Sequence, residues 1–83
     1  MDENVLTLSI ISSNDTQTIK INWVELETPS GNFTICLEHA PITSILTKKS
    51  KITYQSIDST TQSIEITGGS MLCTKTSITI LLD

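Results

Sequence analysis

The reactive side chains in this sequence are few. His39 is the only histidine, and Cys36 stands three residues before it. A thiol and an imidazole can act together as nucleophile and base. On one strand, however, residues three apart point to opposite faces, so the pair needs a turn between them to meet. The alternative role for His39 is a side chain fixed in the turn before Ala40-Pro41. The carboxylates are scattered, and Glu25 and Glu27 share one face of a strand, which suits a solvated surface better than an acid/base pair. Cys36 and Cys73 show neither CxxC nor Cys/His ligand spacing, so no metal site is expected. Both lie among apolar neighbours and read as small core residues, with a disulfide as the other reading. Gly68-Gly69 lacks the following helix and Lys-Ser/Thr of a phosphate loop. Lys48, Lys49 and Lys51 form the one basic cluster. It reads either as a phosphate or lipid-headgroup contact or as a solvated turn. No catalytic residues and no cofactor are expected.

The elements that carry these residues are strands. Ile and Thr dominate, Ala occurs once and Arg not at all. That composition favours a pleated sheet over helix. Leu6, Leu8 and Ile10 alternate with polar residues, as do Ile19, Ile21 and Trp23. After Trp23 the parity flips to Val24 and Leu26, which predicts a bulge or a change of sheet near that residue. Thr28-Pro29-Ser30-Gly31-Asn32 is a turn, and Phe33, Ile35 and Leu37 resume the alternation. Pro41 breaks the strand. Ile42 to Thr47 reads equally as a helical turn or a bent strand. Further strands follow at Ile52/Tyr54, Ile64/Ile66, Met71/Cys73 and Ile78/Ile80/Leu82, with a kink or bulge at Gly68-Gly69. Short strands every 8–12 residues or so indicate a sandwich or barrel. The expectation is an all-β, two-sheet sandwich of about eight to ten short strands in a single domain, residues 1–83.

The 83 residues carry a net charge of −4, and one Trp and one Phe are too few for an aromatic nucleic-acid platform. Nucleic acid is not expected as a partner. No apolar run approaches a membrane span and no signal peptide is legible, so a cytoplasmic chain without membrane insertion is expected.

Two segments carry more than a strand pattern. The first runs from Gly31 to Pro41 and includes Ile35, His39 and Ala40. The second is Gly68-Gly69 followed by Ser77-Ile78-Thr79-Ile80-Leu81-Leu82-Asp83. Together they resemble the N-terminal β-sandwich of the epsilon subunit of F-type ATP synthases, called delta in mitochondria. That family has Pro-Gly-His-Ala-Pro where this chain has Leu37-Glu38-His39-Ala40-Pro41, and Asn32 stands where Glu is usual.

The resemblance implies a non-catalytic rotor subunit at the foot of the central stalk. It would link the gamma subunit to the c-ring and lie peripheral to the inner membrane. The residues it implies on the ring side are Ser30, Gly31, Asn32, Phe33, Glu38, His39 and Ala40. On the gamma side it implies Ser12 and Ser44. Family members continue into a two-helix domain that inhibits rotation or binds ATP, and residues 1–83 are expected to do neither. A free-standing β-sandwich adaptor with another partner is the alternative, and a small thiol- or His-dependent enzyme a more distant one.

Overall fold

The computed structural model describes residues 5–36 and 40–83. Eight strands and no helix are found among them: β1 (Leu6–Ile11), β2 (Thr16–Thr28), β3 (Gly31–Cys36), β4 (Ile42–Leu46), β5 (Ser50–Ser56), β6 (Thr61–Ile66), β7 (Gly69–Cys73) and β8 (Ser77–Leu82). The ambiguous stretch after Pro41 is therefore a strand. It offers only a five-residue run, too short to nucleate an isolated helix, whereas β7 supplies a ladder partner for every residue.

β2 organises the architecture. At 13 residues it is the longest strand, and it belongs to both layers. Its first half pairs antiparallel with β1, from Leu6↔Ile21 to Ile11↔Thr16. Its second half pairs with β3 along the same edge, from Trp23↔Cys36 to Thr28↔Gly31. β5 runs along the opposite edge. One layer is thus β4-β7-β8-β1 with the start of β2, and the other is β3, the end of β2, β5 and β6. β1 and β8, the first and last strands, are parallel neighbours.

The crossover between layers lies where the sequence parity flips. β2 steps from Ile21 to Trp23 while β5 steps only from Ser56 to Gln55, so Asn22 is an extra, bulged residue. Its side-chain amide donates to the Ser56 carbonyl (3.2 Å) and to the Gln55 side-chain Oε1 (2.9 Å), which ties the bulge to β5. The bulge precedes Trp23. Trp23 therefore joins Glu25 on the outward face and is half-buried, and does not continue the inward set of Ile19 and Ile21.

Every strand contributes to one core, with Leu6, Leu8, Ile21, Val24, Leu26, Ile35, Ile52, Met71, Cys73, Ile78 and Ile80 fully enclosed. The two cysteines part company. Cys73 is buried, as its neighbours suggest, but Cys36 is exposed, and the two are not joined in a disulfide. The reason is pleat parity. Phe33 and Ile35 take the inward positions of β3, so the even-numbered Asn32, Thr34 and Cys36 face outward.

Candidate docking surfaces

The two outer faces differ in chemistry. On the β3-β2-β5-β6 layer, register places Glu25 between Thr34 and Thr53, Glu27 beside Asn32, and Lys51 across from Glu65. This face is polar and carries three carboxylates. On the β4-β7-β8 layer, one cross-strand row reads Ile45–Ser70–Leu81 and the next Thr43–Leu72–Thr79. These rows contain no charge. Ile45 is 63% exposed, Leu72 52% and Leu81 50%. A shallow depression of about 260 Å³ lies among Thr43, Ser70, Met71, Leu72, Thr79 and Leu81. Water covers about half of each leucine, and burying such surface is favourable by about 25 cal/mol per Å². Clustered apolar side chains without charge are a common mark of a docking surface. In the sequence Leu72 and Leu81 fall between the alternating apolar positions of their strands, and the resemblance uses Leu81 only as part of the final strand. Only the register shows them adjoining.

The hairpin between β2 and β3 is a second feature. Pro29 and Ser30 form its two-residue tip, with Thr28 opposite Gly31. The buried Thr28 hydroxyl donates to the Gly31 carbonyl (2.8 Å) and accepts from the Ser30 N–H (3.2 Å), which fixes the tip from inside. Gly31 sits at φ +130°, a region that side chains rarely adopt. Ser30, Gly31 and Asn32 are exposed and Phe33 is half-buried.

The residues expected on the ring side do not all share this tip. Thr47, just past β4, donates its N–H to the Glu27 carbonyl beside the tip (2.9 Å). Ala40, exposed, lies before the other end of β4. β4 itself separates the two ends by roughly 13 Å at about 3.3 Å per residue. Glu38 and His39 lie outside the described residues. On the gamma side, Ser44 is half-buried on β4 and its hydroxyl donates to the Ile45 carbonyl (3.0 Å). Ser12 follows β1, where its N–H and hydroxyl both bond the Asp15 carbonyl. β7 and β8 lie between them.

The lysine cluster lines a cleft of about 490 Å³ formed by Lys49, Ser50, Lys51, Glu65, Ile66 and Thr67. Its charge is mixed: Glu65 faces Lys51, the Glu27 carboxylate accepts the Lys51 N–H (3.4 Å), and Asp83 lies by Gly68, near Lys48. The surroundings suit a solvated turn better than an anion site. Among the described residues no three His, Cys, Asp or Glu side chains converge as a metal site would require. Burial pushes the Cys73 thiol up from its ordinary pKa, which makes it a poor nucleophile at neutral pH. No helix of the described residues is long and apolar enough to cross a membrane.

An uncharged outer face, a hairpin tip fixed by hydrogen bonds and a closed β core define a small β-sandwich domain. The chain belongs to the family described as ATP synthase, Delta/Epsilon chain, beta-sandwich domain, whose pattern matches residues 5–83. Membership in an ATP synthase family removes the reading of a chain unrelated to that enzyme. Similar solved structures agree on the fold. A chain in the Euglena gracilis mitochondrial ATP synthase (OSCP/F1/c-ring, rotational state 1) superposes with a TM-score of 0.87 at 11% identity, over 95% of this chain and 51% of that one. A chain in the central stalk/c-ring structure of the Tetrahymena thermophila enzyme gives 0.77 at 8% identity, over 93% of this chain and 62% of that one. The present chain thus spans between half and two thirds of their length. No match is found among curated proteins.

Proposed function

We propose that this chain is a non-catalytic rotor subunit of an F-type ATP synthase, fastening the gamma subunit to the c-ring so that torque passes between them. The observation that carries this reading is the contrast between the faces of the sandwich. The β4-β7-β8 face is uncharged and exposes Ile45, Leu72 and Leu81, whereas the opposite face is acidic and polar. A close-packed double layer of strands is stiff, as a coupling must be. The uncharged face is the gamma side in this reading, with Ser44 on its edge strand and Ser12 at its rim. The hairpin tip with Ser30, Gly31, Asn32 and Phe33 is the favoured ring contact, because it is exposed and fixed from within. Glu38, His39 and Ala40 form a second contact that is tested apart from the tip. The chain would act without cofactor or substrate, on the periphery of the membrane that holds the ring.

The test is binding of the purified chain to its enzyme's gamma subunit by calorimetry. Leu72→Lys and Leu81→Lys should each weaken binding at least tenfold, because they place charge in a desolvated contact, while the melting temperature stays within a few degrees. Glu38→Lys and His39→Ala should leave gamma binding intact and weaken docking to c-rings. Failure of the parent chain to bind gamma would end the proposal.

A further inference from the structure

Among the described residues three strands lack a strand partner along one whole edge: β3, β4 and β6. They differ in what stands beside the open backbone. The outward side chains of β3 are Asn32, Thr34 and Cys36, and those of β6 are Thr61, Ser63 and Glu65, all polar or thiol. β4 alone joins an open edge to an apolar outer surface, since its outward residues are Thr43 and Ile45 and the latter is the most exposed large hydrophobic side chain described. The usual guards of an edge are absent from β4, which contains no charge, no proline and no bulge.

The backbone of β4 is oriented for pairing. The Thr74 N–H donates to the Ser77 carbonyl (2.8 Å), so on β7 the even-numbered residues turn their main-chain groups toward β8 and the odd-numbered ones toward β4. Cys73 and Met71 oppose Ile42 and Ser44, so those two β4 residues spend their main-chain groups on β7. Thr43 and Ile45 then direct N–H and C=O away from the sheet. The Thr47 N–H, of the same parity, leaves in that direction to reach Glu27. The Ser44 hydroxyl already donates to the outward Ile45 carbonyl (3.0 Å), as happens where no strand supplies a donor.

We infer that β4 is a strand-addition site: an extended, uncharged segment of the gamma shaft pairs with Thr43 and Ile45 and continues the β4-β7-β8 layer outward. This rests on the gamma reading above and specifies how that contact is made. An edge of alternating main-chain donors and acceptors selects an extended backbone. The uncharged face selects its side chains, because the added strand would set alternate residues beside Ile45, continuous with Leu72 and Leu81.

Amide hydrogen exchange of the chain, free and bound to purified gamma subunit, tests this directly. The Thr43 and Ile45 amides should exchange quickly in the free chain and at least tenfold more slowly in the complex. Thr43→Pro, which removes an outward donor and leaves the β7 ladder intact, should weaken gamma binding tenfold or more. Its fold is checked by melting, and the exchange measurement on the unmodified chain decides if that variant fails to fold. Binding that responds to Leu81→Lys while the Thr43 and Ile45 amides stay unprotected would overturn strand addition and leave the gamma reading standing. Absence of any binding to gamma would overturn both.

Discussion

Gly69→Ala is the sharpest test of the fold described here. Gly69 opens β7 opposite Leu82, at φ +156°. A Cβ built there would be driven into the Leu81 carbonyl oxygen, far inside contact distance, and to 3.2 Å from two further backbone atoms. Backbone cannot swing away as a flexible side chain can, so the β7–β8 ladder itself must shift. Overpacking of this kind costs typically 1–3 kcal/mol, and a side chain in a glycine-only region of backbone space adds about 1 kcal/mol or more. The sum is about 3 kcal/mol. With an unfolding entropy of about 2.1 cal/mol/K per residue, 83 residues give ~0.17 kcal/mol/K, so the melting temperature should fall by roughly 17 °C. Gly31→Ala is the matched control. Its φ is +130° but nothing lies within 4 Å of the added carbon, so only the conformational cost of about 1 kcal/mol applies, or roughly 6 °C. Both variants are measured by thermal melting followed by circular dichroism. A Gly69→Ala protein that melts within a few degrees of the parent, or a larger loss for Gly31→Ala, would refute the reasoning.

Three further outcomes follow from the structure. In the native chain a thiol reagent should modify the exposed Cys36 within minutes and the buried Cys73 only as the protein unfolds, as mass spectrometry of tryptic fragments will show. Thr28→Val removes the hydroxyl that serves both Gly31 and Ser30 inside the hairpin, and should cost about 1–2 kcal/mol with accelerated exchange at the tip. Asp58 is exposed, and hydrogen bonds from the Ser56 side chain and the Thr60 N–H hold its carboxyl below the ordinary range. A lowered folded-state pKa means that the β5–β6 turn keeps this support above the ordinary aspartate value of about 3.9 and loses it as pH falls through the lower folded value. An NMR titration of the Thr60 amide should therefore show a midpoint below that of an unstructured aspartyl peptide.

Much of the fold is legible in the residues because β-sheet alternation has a period of two and any break in it is visible. The flip from Ile21 to Val24 located the crossing between layers to within a residue, although the bulge falls at Asn22, so Trp23 lands outside. The turn through Pro29-Ser30-Gly31 and the break at Gly68-Gly69 are likewise readable, and all three glycines take positive φ. Pairing partners are not readable. Nothing local in Ser77–Leu82 says that it lies parallel to Leu6–Ile11, because that choice is made by the packing of the whole core. The same gap hid the uncharged face. Ile45, Leu72 and Leu81 are dispersed along the chain and come together only through two ladder registers. Cys36 was misplaced among core residues because apolar neighbours in sequence alternate faces on a strand, so adjacency to Ile35 argues for the outside.

The parallel pairing of β1 with β8, from Thr7↔Ser77 to Ile11↔Leu81, determines how the domain responds to being pulled. Because the two strands run the same way, the start of β1 and the finish of β8 lie at opposite ends of their shared ladder. Tension between the two termini therefore acts lengthwise along that ladder. It must rupture the rungs together as a shear, and cannot peel them one after another as it would in an antiparallel hairpin. A part loaded through its ends in this geometry resists extension far better than its modest size suggests.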